Sequence, residues 1–202
     1  MATLLRIDSS ASQASNSKYL AGHYQNEWRA NHPAGTLITR DLSVQQPNHI
    51  SEAMIGAMYT PAENRSEEQI AHLANSEQYL AELKAADTLL ISVPMYNFGI
   101  PSTLKAYLDQ IARVGETFTY TENGPKGLLT DKKAVIILTS GGNYTQPPLS
   151  NLDHVTPYLK TVLNFIGISE IEVIVAPNMA RTAAEKQATL NHAEQSLMSL
   201  SF

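Results

Sequence analysis

Three short stretches of this chain carry residue types that could hold a flat, phosphorylated molecule. The first, Ser9, Ser10, Ala11, Ser12, Gln13, Ala14, Ser15, Asn16 and Ser17, is rich in hydroxyls and contains no glycine. A G-x-G-x-x-G fingerprint, which brings a pyrophosphate against bare backbone, is therefore absent. Ser and Asn side chains beside the free N–H groups of a helix N-terminus suit a terminal phosphomonoester instead, because the partial positive charge there favours a dianion. Ser9, Ser15, Asn16 and Ser17 are the candidates; the same serines would serve equally as helix caps.

The second stretch runs Pro94, Met95, Tyr96, Asn97, Phe98, Gly99, Ile100, Pro101. Two large aromatics between prolines offer an apolar wall for a flat tricyclic ring, with backbone N–H groups at its edge, if the segment is extended. A hydrophobic plug over the fold is the plainer reading. The third stretch, Thr139, Ser140, Gly141, Gly142, has paired glycines that permit close approach of a ring carbonyl, or simply mark a turn.

Each stretch follows an apolar run. TLLRID (3–8), DTLLISV (87–93), KAVIILT (133–139) and IEVIVA (171–176) read as buried strands of a parallel sheet, and the weaker TLITRD (36–41) as an edge strand. Helix patterns lie between them. Leu20, Tyr24 and Trp28 recur every four residues before the stop signals Asn31, His32, Pro33 and Gly35. Ser66 with Gln69 forms a capping box ahead of Ile70, Leu73, Glu77, Leu80 and Leu83. Ser102 is placed to cap a helix carrying Leu104, Leu108 and Ile111. Pro157 after Thr156, with Gly167 beyond, shows the Pro-start and Gly-end asymmetry. Thr182 and Glu185 form a second capping box before Leu190, Leu197 and Leu200.

Five strand–helix units imply right-handed crossovers and an α/β fold, with helices on both faces of a five-stranded parallel sheet. The flavodoxin-like strand order 2-1-3-4-5 fits, and it gathers the loops after strands one, three and four at one end of the sheet.

Composition narrows the rest. At 202 residues and 43% hydrophobic, the chain reads as a single domain spanning 1–202. A net charge of -5 argues against nucleic acid. No apolar run approaches the roughly 20 residues that span a bilayer, so a soluble cytoplasmic protein without a membrane partner is expected. Zero cysteines exclude thiol chemistry, and redox work would need a bound cofactor. The six histidines, at 23, 32, 49, 72, 154 and 192, lack ligand spacing, so no metal is expected. A G-x-S-x-G hydrolase elbow is also missing.

PMYNF (94–98), TFTYTENGPKGLL (117–129) and TPYL (156–159) closely resemble the bacterial FMN-dependent NADH azoreductase/quinone reductase family, most specifically across 94–142. The resemblance implies a homodimer with noncovalent FMN at two interface sites, reduced by NADH or NADPH in a ping-pong cycle and passing electrons to quinones and azo compounds. By position it implies that Ser9 and Ser15, Asn16 and Ser17 hold the phosphate. Met95, Tyr96, Asn97 and Phe98 would line the isoalloxazine, and Thr139, Ser140, Gly141 and Gly142 would meet its pyrimidine edge. Tyr120 and Phe165 would frame the substrate pocket from the partner's side. Tyr59 stands where some relatives have a basic residue, and Ser140 where better-known members carry Arg; Asn143 and Tyr144 replace an apolar residue and His. No catalytic side chain is expected, since the cofactor carries the chemistry. An electron-transfer flavodoxin is the alternative, against which the segment 117–132 and the C-terminal helix weigh. A response-regulator receiver would need an acidic pair where Asp8 is followed by serines.

Overall fold

The computed structural model describes residues 1–200. Its sheet is built from β1 (Thr3–Asp8), β2 (Thr36–Asp41), β3 (Thr88–Pro94), β6 (Lys133–Thr139) and β7 (Glu170–Ala176), all parallel, in the order β2-β1-β3-β6-β7. Numbered within the sheet alone, that is the expected 2-1-3-4-5, with TLITRD at one edge. The helices are α1 (Asn16–Asn31), α2 (Glu52–Tyr59), α3 (Glu67–Ala85), α4 (Ser102–Ile111), α5 (Thr156–Ile166) and α6 (Ala183–Met198). A hairpin of β4 (Phe118–Thr121) and β5 (Gly124–Gly127) stands apart from the sheet.

The alternation of side chains along β1 separates the cores on the two faces of the sheet, beside which Met54, Ala57 and Leu73 form a small cluster between α2 and α3. Leu5 and Ile7 face α3, α4 and α5, packing with Leu83, Tyr107 and Leu163. Leu4 faces the other way, toward Leu20, Tyr24 and Trp28 of α1 and Leu190 and Leu197 of α6. Each fully buried Leu or Ile contributes roughly 2 kcal/mol relative to exposure. Covering both faces is therefore what makes the uninterrupted apolar strands stable, where one-sided burial would demand alternation.

Several local expectations need correction. Strand–helix alternation is interrupted, because α2 precedes α3 after β2 and the hairpin precedes β6. Ser102 is the first residue of α4 rather than its cap; Pro101 occupies the cap position without a side-chain bond. The third strand begins at Thr88, and the carboxylate of Asp87 just before it accepts from the N–H of Thr3 (2.7 Å). Ile70 lies exposed on α3. Both capping boxes form as read, on Ser66/Gln69 and Thr182/Glu185. At the start of α5, Asp153 accepts from the N–H groups of Val155 and Thr156 (2.9 and 3.0 Å), and Gly167 closes the helix at φ 108°.

Candidate active site

The loops after β1, β3 and β6 meet at the carboxyl end of the sheet, where they enclose a cleft of ≈ 250 Å³. Ser10, Ser12, Ser15 and Asn16 form one wall; Met95, Tyr96, Thr139, Ser140 and Gly141 form the other. Parallel strands place all three loops on one side because every crossover returns the chain to the opposite edge before the next strand begins.

The phosphate-loop candidates separate by burial. Ser15 is the N-cap of α1, its hydroxyl accepting from Lys18 N (3.3 Å). Asn16 and Ser17 open the helix, and among the described residues no acceptor takes their N–H groups. These are the orphan donors every helix start presents. Ser9 is buried, and its hydroxyl donates to Ser92 O (2.8 Å), away from the cleft. Ser17 is buried too, with its hydroxyl 3.0 Å from that of Ser15. Ser10, which hydroxyl counting alone did not single out, lies 3.3 Å from the Tyr96 hydroxyl and ties the first loop to the second.

The segment Met95 to Phe98 is not extended. Tyr96 and Gly99 exchange both backbone hydrogen bonds (2.9 and 3.0 Å), and the two residues between them have positive φ, 49° at Asn97 and 70° at Phe98. Two consecutive left-handed residues inside a reciprocal pair make a type I′ turn. Asn adopts this region readily, whereas a bulky aromatic there is strained by about 1 kcal/mol. The turn leaves the Asn97 N–H without an acceptor among the described residues. Phe98 lies outside the cleft lining, with its ring edge-on to Tyr144 (centroids 6.0 Å) and its carbonyl accepting from His154 N (3.1 Å).

In the third loop, Ser140 is buried and its hydroxyl donates to Gly142 O (2.8 Å). Neither Gly141 nor Gly142 adopts positive φ. A Cβ at either would meet only the Ala180 and Tyr144 side chains, at 3.4 Å. The glycines thus keep the surface low rather than enabling a forbidden backbone. Their N–H groups, like that of Asn97, meet no acceptor among the described residues. Behind them, the segment after β7 donates from Met179 N to Ser140 O (2.9 Å) and from Ala180 N to Gly141 O (3.2 Å). Met179 thereby enters the cleft lining. A Met after a strand carries no chemical signal, so sequence reasoning had no handle on it.

Tyr120 and Phe165 do not line this cleft. They cluster with Phe118, at 5.6 and 4.4 Å between centroids, where the hairpin packs on the C-terminal end of α5. Tyr59, at the end of α2, is strongly exposed and also outside the cleft.

The described residues contain no cluster of three or more metal-binding side chains, and no helix among them is long and apolar enough to cross a membrane.

Sheet order and switch-point cleft together define a flavodoxin-like α/β protein, and a family model described as flavodoxin-like fold matches residues 2–200. An FMN-dependent NADH:quinone oxidoreductase of Hydrogenovibrio crunogenus is 57% identical over 198 residues, covering 98% of both chains. One from Marinomonas sp. is 46% identical over 181 residues, 89% of this chain and 90% of its own. Among solved structures, an FMN-dependent NADH-azoreductase from Bacillus anthracis in complex with FMN superposes with TM-score 0.87 at 26% identity, covering 98% of each chain. The chain belongs to the family of FMN-dependent NADH:quinone oxidoreductases.

Proposed function

We propose that this protein is an FMN-dependent oxidoreductase that uses NADH or NADPH to reduce quinones and to cleave aromatic azo compounds. One observation carries the reading most directly. A single cleft is lined by Asn16 at the start of α1 and by Gly141, whose N–H groups both lack an acceptor among the described residues, and by Met95 and Tyr96; the equally free N–H groups of Asn97 and Gly142 follow Tyr96 and Gly141 directly in the chain. Donors at one end suit a phosphate, and donors at the other suit the polar edge of a ring whose flat face rests on apolar side chains. FMN has that layout, and the relatives' names support it.

In this assignment Asn16 and Ser17 N–H groups and the Ser10, Ser12 and Ser15 hydroxyls hold the phosphate, while buried Ser9 shapes the loop from beneath. Met95 and Tyr96, which line the cleft, form the ring's wall, and Asn97 and Phe98, in the turn just outside that lining, are assigned to its edge. The chemistry supplied by bound FMN is two-electron transfer between nicotinamide nucleotide and acceptor, taken in turn as a ping-pong cycle. The chain's own part is to orient the reactants and, through the N–H groups of Asn97, Gly141 and Gly142, to stabilise negative charge that develops at the ring edge. No carboxylic acid, histidine or lysine lines the cleft, so solvent is assigned as the source of protons for the acceptor.

Tyr120 and Phe165 reach an active site only from a second copy of the chain, which makes the working unit a homodimer. Their exposure, 68% and 36%, fits side chains awaiting such a neighbour. Tyr59 is assigned to the mouth of the substrate pocket, and the enzyme to the cytoplasm.

Purified protein should be yellow, or become so with FMN, and should bleach on addition of NADH under nitrogen. Colourless protein that FMN cannot reconstitute would sink the reading. Flavin that binds but is not reduced by NADH would shift it to an electron carrier.

A further inference from the structure

Beneath the phosphate loop lies an ion pair that the chemistry above does not use. Arg6 and Asp8 stand two residues apart on β1, facing α1, with side chains only 12% and 5% exposed. The Arg6 Nε donates to both Asp8 oxygens (3.1 and 3.0 Å), and Nη2 lies 2.9 Å from Oδ2. Arg6 also reaches into α1, donating from Nη2 to Lys18 O (3.0 Å) and from Nη1 to Gln25 Oε1 (3.0 Å). Asp8 accepts from Ser92 Oγ (2.7 Å), whose carbonyl in turn takes both the N–H and the hydroxyl of Ser9.

The placement matters because the cleft lining contains no cation. A phosphate dianion there would be held at the cleft by neutral donors and the helix dipole, with Lys18 and Lys186 lining the adjoining pocket on the far side of Ser15 and Asn16 rather than the cleft itself. An uncompensated carboxylate at the end of β1 would oppose that hold in a poorly screened environment, where unit charges a few ångströms apart interact far more strongly than in water. Lys18 does not supply the compensation, as its Nζ is engaged by Asp41 (2.7 Å) and Ser43 (3.2 Å).

We infer that the Arg6–Asp8 pair sets the charge beneath the phosphate end of the cofactor: Arg6 cancels the buried Asp8 carboxylate under the loop, so that the carboxylate does not oppose a phosphate held at the start of α1. This rests on the assignment of the phosphate to the start of α1.

The experiment compares binding of FMN and of riboflavin, which lacks the phosphate, by flavin fluorescence quenching in wild type, R6Q, D8N and R6Q/D8N. The wild type should prefer FMN by at least about a hundredfold, given several charge-assisted hydrogen bonds to phosphate. R6Q should lose about tenfold of that preference, or ~1.4 kcal/mol, with riboflavin affinity within about threefold of wild type. D8N, which keeps the cation, should hold or raise the preference. The double variant should return it to within about threefold of wild type. R6Q that keeps its preference, or that weakens both flavins alike, overturns the inference, as does a double variant that is not restored. If R6Q does not fold, a fall in the preference of D8N overturns it. A wild type indifferent to the phosphate instead defeats the underlying assignment and leaves Arg6 without this role.

Discussion

Phe98 sits at φ 70°, where almost any residue but glycine is strained, and this strain lies beside the cleft. Bulky left-handed residues persist when surrounding contacts over-determine them, often at ligand sites. Replacing Phe98 with Gly would relieve about 1 kcal/mol while losing an edge-to-face contact with Tyr144 of similar size. F98G should therefore keep its thermal midpoint within a few degrees of wild type, yet bind FMN about tenfold more weakly, because a loosened turn no longer fixes the Asn97 N–H that the proposed function assigns to the ring edge. Differential scanning calorimetry and a flavin titration measure the two separately. Sequence made the Met95 to Phe98 stretch visible because aromatics outside a buried strand are unusual. It could not show the I′ turn, since Asn favours left-handed backbone and Phe does not. Nor could it rank the serines. Ser9 and Ser15 carry the same hydroxyl, and only tertiary packing sends one to Ser92 O and the other to the helix cap.

At the scale of elements, the β4–β5 hairpin is docked by a backbone approach with no room for a side chain. A Cβ on Gly127 would lie 2.2 Å from Gly167 N and 2.4 Å from Ile166 C, atoms of the α5 terminus that cannot move aside cheaply. Leu129 N donates to Ile166 O (3.0 Å) across the same seam. G127A should cost about 3 kcal/mol by overpacking, a fall of roughly 6–12 °C in thermal midpoint for a chain of this size. G124A supplies the contrast: φ is 101° but the space is open, so only the backbone penalty of about 1 kcal/mol remains. Equal effects would show that the approach to α5 is not what holds the hairpin. The central strands β3 and β6 were legible because they are apolar on both faces, and β1, β2 and β7 because each still carries a short apolar run beside polar residues. The helix α2 was not, because its eight residues bury only Met54 and Ala57 and leave too little periodicity to read. The hairpin has a usable signal in Asn123-Gly124, a turn dipeptide between two short runs.

For the whole molecule, acid should weaken the fold through carboxylates that the structure holds ionised. Burial pushes the Asp41 carboxyl upward, but Lys18 and Ser43 outweigh it and leave the group below its usual range. Lys84 draws Glu116 down likewise. A carboxyl depressed in the folded state stabilises fully above its unfolded value near 4 and loses that contribution as pH falls through the folded value. Thermal midpoints should thus hold from about pH 7 to 5 and drop below about 4. D41N should flatten part of that drop, and an acid limb identical to wild type would assign it to other groups.

The cleft draws on the chain at positions 10–16, 94–96, 139–141 and 179, and no two of these stretches are neighbours in sequence. What unites them is the pairing of β1 with β3 and of β3 with β6, contacts between segments some 80 and 45 residues apart in register. No fragment of the chain contains the site, and no local rearrangement can build half of it. Loop-closure entropy for each pairing must be met before any ligand-binding surface exists. Cofactor capture is in this sense a readout of completed topology: a chain that has failed to set its central three strands in order has nothing with which to bind, and one that has done so presents all the walls at once.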